Sequence, residues 1–138
     1  MKTFLKSAFA ALVVALTFSP VMAAGVSPTE VSGTKTVTAA EAKALFDKGA
    51  IFVDVRKNSD WDAGRVPEAE HLELKKVFTQ GSFGKIAKVD DPIVIYCNGE
   101  KCLRSSKACI KSVAWGYKNI YYFRDGFPAW KSAGYPTE

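Results

Sequence analysis

The chain predicts an α/β fold, a small parallel sheet flanked by helices on both faces. Three observations carry this reading. Short apolar runs rich in β-branched or aromatic residues stand at 51–55, 92–96 and 120–123. Helix-forming segments with recognisable start and stop signals alternate with them, the pattern of a parallel sheet covered on both sides. The 138 residues are 48% hydrophobic and 24% charged, with no low-complexity tract or internal repeat. That suits one domain whose core closes without disulfides or a structural metal.

Taken in order, Thr36 and Val37 make a short first strand. In Thr38-Ala39-Ala40-Glu41 the two polar side chains can each satisfy a backbone N–H at a helix start, a capping box. The helix carries Ala42, Ala44, Leu45 and Phe46 and stops at Gly49, where a left-handed residue belongs. Ile51-Phe52-Val53-Asp54-Val55 reads as a buried strand. Asp60, Trp61 and Asp62 form a helical turn behind Ser59 that ends near Gly64, and a brief strand follows around His71 and Leu72. Residues 73–88 fit only broken helical turns around Leu74, Val77, Phe78 and Ile86. Pro92-Ile93-Val94-Ile95-Tyr96 is the cleanest strand. A polar loop leads from it to a helix from about Ser105 to Trp115, ended by Gly116. Ile120 to Phe123 is the last strand, and Phe127 to Ser132 a closing helical turn or two. Trp61, Trp115 and Trp130 read as core or rim packing.

The N-terminus has a separate logic. Lys2 and Lys6 accompany an apolar run at 8–18, then Ser19-Pro20 breaks it and Val21-Met22-Ala23 supplies small residues. That is the order of a secretory signal peptide. The run is shorter than the roughly 20 apolar residues of a membrane span. The expected organisation is a signal peptide at 1–23, a flexible Gly-, Ser-, Thr- and Pro-rich leader at 24–34, and one domain at 35–138. A periplasmic or secreted location follows, with no membrane attachment after cleavage. Without Lys2 and Lys6 the chain keeps 17 basic and 14 acidic side chains, a net charge of +3. The bases are dispersed and aromatic residues do not interleave with them, so no nucleic-acid platform is expected. A weak preference for small anions is what this charge suggests. A monomer is expected.

Cys97, Cys102 and Cys109 are odd in number and lie in one stretch, which is not a disulfide framework. In an exported protein at least one thiol is then free, reactive or paired with another molecule. His71 is the only histidine and no second cysteine cluster exists, so neither zinc nor another cofactor is expected. Cys97 follows the strand at 92–96 directly. In parallel sheets, ligand sites lie outside such carboxyl ends. Asn98, Gly99, Glu100, Lys101, Cys102, Leu103 and Arg104 form the loop before the next helix. Such a loop can turn backbone N–H groups inward as an anion nest, and the helix behind it adds positive dipole charge. Gly99 is free to take positive φ, and Lys101 and Arg104 can add full charge. These features favour the thiolate, the nucleophilic form of cysteine. Glu100 opposes that field unless it points into solvent.

The segment IVIYCNGEKCLRSSKACIKSVAWGYKNIYYFRDGFPAW resembles the C-terminal half of a rhodanese domain, closing on Gly126, Ala129 and Trp130. Upstream, Asp54-Val55-Arg56 is similar to the family's strand ending in Asp-x-Arg. Trp61 to Ala69 resembles its first signature, with Arg65 in place of the usual His and Glu68 in place of Gly. The likeness runs from about Thr36 to Pro136. It implies a rhodanese-like fold and sulfur transfer: Cys97 takes sulfur from a small anionic donor such as thiosulfate, holds it as a persulfide and gives it to cyanide, a thiol or a protein acceptor. The family's usual loop is Cys-x-x-Gly-x-Arg-Ser. Here Gly99 is shifted and two residues are added before Arg104-Ser105, and longer loops in related domains go with larger phosphate or arsenate substrates.

Cys102, five positions beyond Cys97, is a possible resolving thiol whose approach depends on loop geometry. Asp54 and Arg56 are supporting residues, read mainly as an ion pair at a strand end. His71 reads as a hydrogen-bonded structural histidine and Cys109 as a packed small hydrophobe. Three alternatives stand beside sulfur transfer: a thiol-redox enzyme or oxyanion reductase using Cys97 and Cys102, an oxyester phosphatase, and a non-catalytic sulfur-carrier or binding module.

Overall fold

The computed structural model describes residues 25–138, so the signal peptide expected at 1–23 and residue Ala24 of the leader lie outside the described residues. The elements run β1 (Thr34–Thr36), α1 (Ala39–Asp47), β2 (Ile51–Asp54), α2 (Asn58–Ala63), β3 (Glu70–His71), α3 (Gln80–Ile86), β4 (Ile93–Tyr96), α4 (Arg104–Ala114), β5 (Ile120–Phe123) and α5 (Gly126–Ser132). The strands pair in parallel in the order β1-β5-β4-β2-β3. β4 is the centre of the sheet, and all four of its residues are buried. This is the α/β fold the sequence predicts.

Side chains alternate across a strand, so each apolar run supplies both faces. On one face Val53, Ile93, Ile95, Ile120 and Tyr122 pack with Phe83 of α3 and with Ala108 and Cys109 of α4. On the other, Phe52, Val94, Tyr96 and Phe123 pack with Ala42 of α1 and Trp130 of α5. The register aligns Asp54 with Tyr96 and Tyr96 with Phe123. The residues that follow β2, β4 and β5 therefore leave one sheet edge side by side. That edge carries Arg56, Cys97 and Arg124.

Three local outcomes differ from the sequence reading. β1 starts at Thr34 rather than Thr36, because Thr34, Lys35 and Thr36 pair with Ile120, Tyr121 and Tyr122. Within 73–88, α3 is a single helix whose capping box uses Thr79 and Ser82, a hydroxyl where the usual pattern has an acid. Residues 25–34, expected as a flexible leader, lie packed on the domain. Ser27 and Val31 are buried. The Tyr122 hydroxyl donates to the Pro28 carbonyl at 2.9 Å, and the Thr36 hydroxyl to the Thr29 carbonyl at 2.9 Å. The polar composition that suggested a free leader is used in these turns and anchors.

Trp130 closes the α1–α5 side. It is fully buried, edge-on to Phe46 at 5.5 Å and Phe52 at 5.6 Å, and its indole N–H donates to the Pro136 carbonyl at 2.7 Å. Large-to-small changes at such sites lose both transfer energy and packing. Trp130→Ala is expected to lower the unfolding free energy by about 3–5 kcal/mol in urea titration.

Candidate active site

Cys97 follows the last residue of β4, and residues 97–103 turn back to the start of α4. Two backbone features shape the turn. Gly99 has φ 107°, and the Cys102 amide donates to the Gly99 carbonyl at 3.0 Å. The turn returns Cys102 to the strand end, where it is joined to Cys97 in a disulfide with the two Cα atoms 6.4 Å apart. Cys97 is only 1% exposed, whereas Cys102 is half-buried. The amides of Asn98, Gly99, Glu100 and Lys101 donate to no described residue.

The loop is held from three sides. The start of α5 holds it from below, where the Phe127 amide donates to the Cys97 carbonyl at 2.9 Å. This contact needs glycine before it: Gly126 has φ 65°, and a Cβ there would lie 2.3 Å from the Cys97 carbonyl oxygen and 2.8 Å from the Gly99 nitrogen. The N-terminal segment holds the middle. Ser27 donates to the Glu100 carbonyl from its amide at 2.7 Å and from its hydroxyl at 2.8 Å. Asn98 is held by its side chain, accepting from Arg56 at 3.2 Å and donating to Asp60 at 3.0 Å.

Arg56 and Asp54 form a buried ion pair, with Arg56 Nη2 2.7 Å from Asp54 Oδ2. Nη2 also donates to the Gly64 carbonyl at 2.6 Å, and the guanidinium lies 4.5 Å from the Phe127 ring centroid. Burial works against the Arg56 charge, but the hydrogen bonds and charge of Asp54 outweigh it and raise the pKa. The His71 Nε2–H donates to the Arg56 carbonyl at 2.8 Å, and the ring stacks on Trp61 at 4.6 Å. It is a packing residue.

Arg104 corrects an expectation. It does not offer free positive charge to the loop, because it begins α4 and is paired with Glu73, and it also donates to the Val55 carbonyl at 3.3 Å. Glu73 is buried. The hydrogen bond from Arg104 outweighs burial and holds the Glu73 carboxyl below its usual range. Glu100 points outward and lies 3.6 Å from Arg124, and Lys101 is exposed. Beside the loop an open cleft of about 340 Å³ is lined by Lys57, Lys75 and Lys76 as well as Arg104 and Glu73. These three lysines form no ion pair with a described residue. Cys109 lies inside α4, where burial pushes its thiol pKa up and keeps it protonated. Among the described residues no cluster of His, Cys, Asp or Glu could hold a metal ion, and no helix is long and apolar enough to cross a membrane.

Sequence reasoning singled out Cys97, the loop, Cys102, Asp54 and Arg56, and the structure gathers all of them at one sheet edge. It missed Glu73, Arg124, Ser27 and Asp60. Each of these acts through a partner distant in sequence, and no local pattern marks it. Glu68 carries a signal of a different kind. It occupies the position where the resembling signature has glycine, and it sits at φ 61°, in the left-handed region.

A cysteine held at the carboxyl end of the central parallel strand, on a loop leading into a helix, defines a cysteine-loop α/β domain. The chain belongs to the rhodanese-like domain family, whose model matches residues 38–133. It is 29% identical over 104 residues to the thiosulfate sulfurtransferase GlpE of Pseudomonas syringae pv. syringae, covering 75% of this chain and 92% of that protein. To the thiosulfate sulfurtransferase GlpE of Pseudomonas entomophila it is 32% identical over 104 residues, covering 75% of this chain and 90% of that protein. The BH2092 protein of Bacillus halodurans shares the fold at a TM-score of 0.66 and 22% identity, covering 75% of this chain and 76% of that one.

Two predictions follow from this geometry. Gly126→Ala forces either α5 or the Cys97 loop to move, and is expected to cost about 2–5 kcal/mol in denaturant titration. For Glu73 the folded pKa lies below its unfolded value. The stabilisation is therefore complete above the ordinary 4.5 and is lost as pH falls through the folded value. Glu73→Gln is expected to cost about 1–3 kcal/mol at neutral pH and to flatten the loss of stability on acidification below pH 4.5, read by urea midpoints against pH.

Proposed function

We propose that the reduced protein is a sulfurtransferase that carries sulfane sulfur on Cys97. The observation that carries this reading is the placement of Cys97: it ends the central strand and begins a loop whose next four amides are unpaired within the described chain. Backbone N–H groups in such a loop favour a thiolate and the anion it attacks. The likeness to proteins named thiosulfate sulfurtransferase supports the same assignment.

In the first half-reaction the Cys97 thiolate attacks the outer sulfur of thiosulfate. The S–S bond of the donor breaks and its electron pair leaves on sulfite, so that Cys97 keeps the transferred sulfur as a persulfide. In the second, cyanide or a thiolate attacks that outer sulfur and restores the Cys97 thiolate. This is covalent catalysis in two steps. The three lysines of the adjacent cleft favour an anionic donor. Asp54 and Arg56 act by positioning, through Asn98. The Cys97–Cys102 disulfide has to be opened by a thiol reductant before the cycle begins. We assign the protein to the periplasm or the exterior, on the signal-peptide pattern at 1–23.

The test is thiocyanate production from thiosulfate and cyanide by protein first reduced and freed of reductant. Cys97→Ser, checked for folding by circular dichroism, is expected to lose more than about a thousandfold of this activity. The disulfide form is expected to be inactive until reduced. Activity that survives Cys97→Ser, or its absence from folded and reduced wild type, would falsify the assignment.

A further inference from the structure

We infer that Cys102 is a resolving thiol that discharges the Cys97 persulfide as sulfide, giving the protein a sulfane-sulfur reductase activity besides sulfur transfer. The inference rests on the persulfide reading above and adds a second fate for the bound sulfur. Its basis is the juxtaposition of the two cysteines in the folded loop: the chain brings Cys102 to bonding contact with Cys97 in a loop anchored on both sides of the pair. The Cys97 carbonyl accepts from the Phe127 amide, the Glu100 carbonyl accepts two bonds from Ser27, and the Cys102 amide donates to the Gly99 carbonyl. The Leu103 carbonyl accepts from Lys107 at 3.1 Å and from the Ser106 hydroxyl at 3.0 Å, so α4 is intact up to the loop. A thiol fixed this close reacts within the molecule at a high effective concentration.

The step balances. The Cys102 thiolate attacks the inner sulfur of the persulfide, Cys97 Sγ. The bond from that Sγ to the outer sulfur breaks, and the outer sulfur leaves with the electron pair as hydrosulfide, taking the persulfide proton. The Cys97–Cys102 disulfide forms. Two thiol sulfurs are oxidised and one sulfane sulfur is reduced to sulfide. A dithiol reductant then reopens the disulfide and is itself oxidised to a disulfide. Its point of attack is Cys102, because Cys97 is buried and Cys102 is half-exposed. Sulfur leaves as thiocyanate or a new persulfide when an acceptor reaches the outer sulfur first, and as sulfide when Cys102 does.

The third cysteine is the internal control. Cys109 is buried in α4 among core residues and takes no part.

The experiment uses the full-length protein, reduced, freed of reductant and given thiosulfate without acceptor. Sulfide is counted by a colorimetric assay, and the chain by intact mass and peptide mapping, for wild type, Cys102→Ser, Cys102→Ala and Cys109→Ser. Wild type and Cys109→Ser are expected to release one sulfide per chain and to end with Cys97 linked to Cys102. Both Cys102 variants are expected to release none and to hold one extra sulfur on Cys97. If wild type instead keeps the extra sulfur on Cys97 and releases no sulfide, the resolving role is overturned and the transfer reading survives. If no folded, reduced form takes up sulfur or releases sulfide, the transfer reading itself is overturned and this inference goes with it. The wild-type sulfide count and disulfide map decide the matter even if a Cys102 variant does not fold.

Discussion

A guanidinium taken out of water has to recover its hydration from the protein, and Arg56 does so by drawing several segments of the chain to one point. Its partners are the Asp54 carboxylate at the end of β2, the Gly64 carbonyl after α2, the Asn98 side chain in the cysteine loop and the ring of Phe127 in α5. The spacing explains why the pair forms so readily. Residues two apart on a strand face the same way, so Asp54 and Arg56 meet with almost no chain to close, while Val55 between them enters the opposite core cluster. Removing either partner would leave a buried charge uncompensated, a loss of about 3–5 kcal/mol in comparable sites. The consequence is functional. The position of Asn98, and through it the direction in which the chain leaves Cys97, depends on a charge pair that does no chemistry.

The same economy of charge runs around the rest of the loop. Arg104 is paired with Glu73, Arg124 lies against Glu100, and Arg56 is held by Asp54. Each arginine at this edge thus arrives with its own carboxylate, and its net contribution to the field at Cys97 is small. The groups of the loop left without a carboxylate partner are the amides of residues 98–101, the N-terminus of α4 and Lys101. The arginines have become structural. They fix the loop and the helix start, while the groups left to meet an anion are backbone dipoles and solvated ammonium ions.

What the sequence made legible follows the range of the interactions involved. β2, β4 and β5 announced themselves because burial on both faces makes each a nearly unbroken apolar run, with Asp54 at the end of β2 the one charged residue among them. The Thr38–Glu41 capping box and the stop at Gly49 were legible because they are complete within a few residues. Cys97 was legible from its place between a strand and a helix. α3 was not, because Ser82 does the work of the expected acid and Gly81 and Gly84 lower the helix propensity of the segment. Arg104 was assigned to the loop's field because nothing near it in sequence names Glu73, which is 31 residues away. The segment at 25–34 was misread for the same reason: Ser27 donates to the Glu100 carbonyl of the cysteine loop and the Pro28 carbonyl accepts from Tyr122 of β5, partners that only the folded chain brings near.

The enlarged loop can now be given a physical purpose. Compared with the family pattern it resembles, it has two more residues between the cysteine and the Arg104-Ser105 pair. A longer loop can widen the space above the nucleophile, or it can carry a second group back to it. In this chain the added length turns at Gly99 and returns Cys102 to Cys97. Ser27 pins the middle of the turn at Glu100, so the return does not depend on loop closure alone. The geometry therefore favours a second thiol over a wider pocket. It also orders the events of a redox cycle, because the sulfur that a reductant reaches first is the one on Cys102, and attack there releases Cys97 as the leaving thiolate.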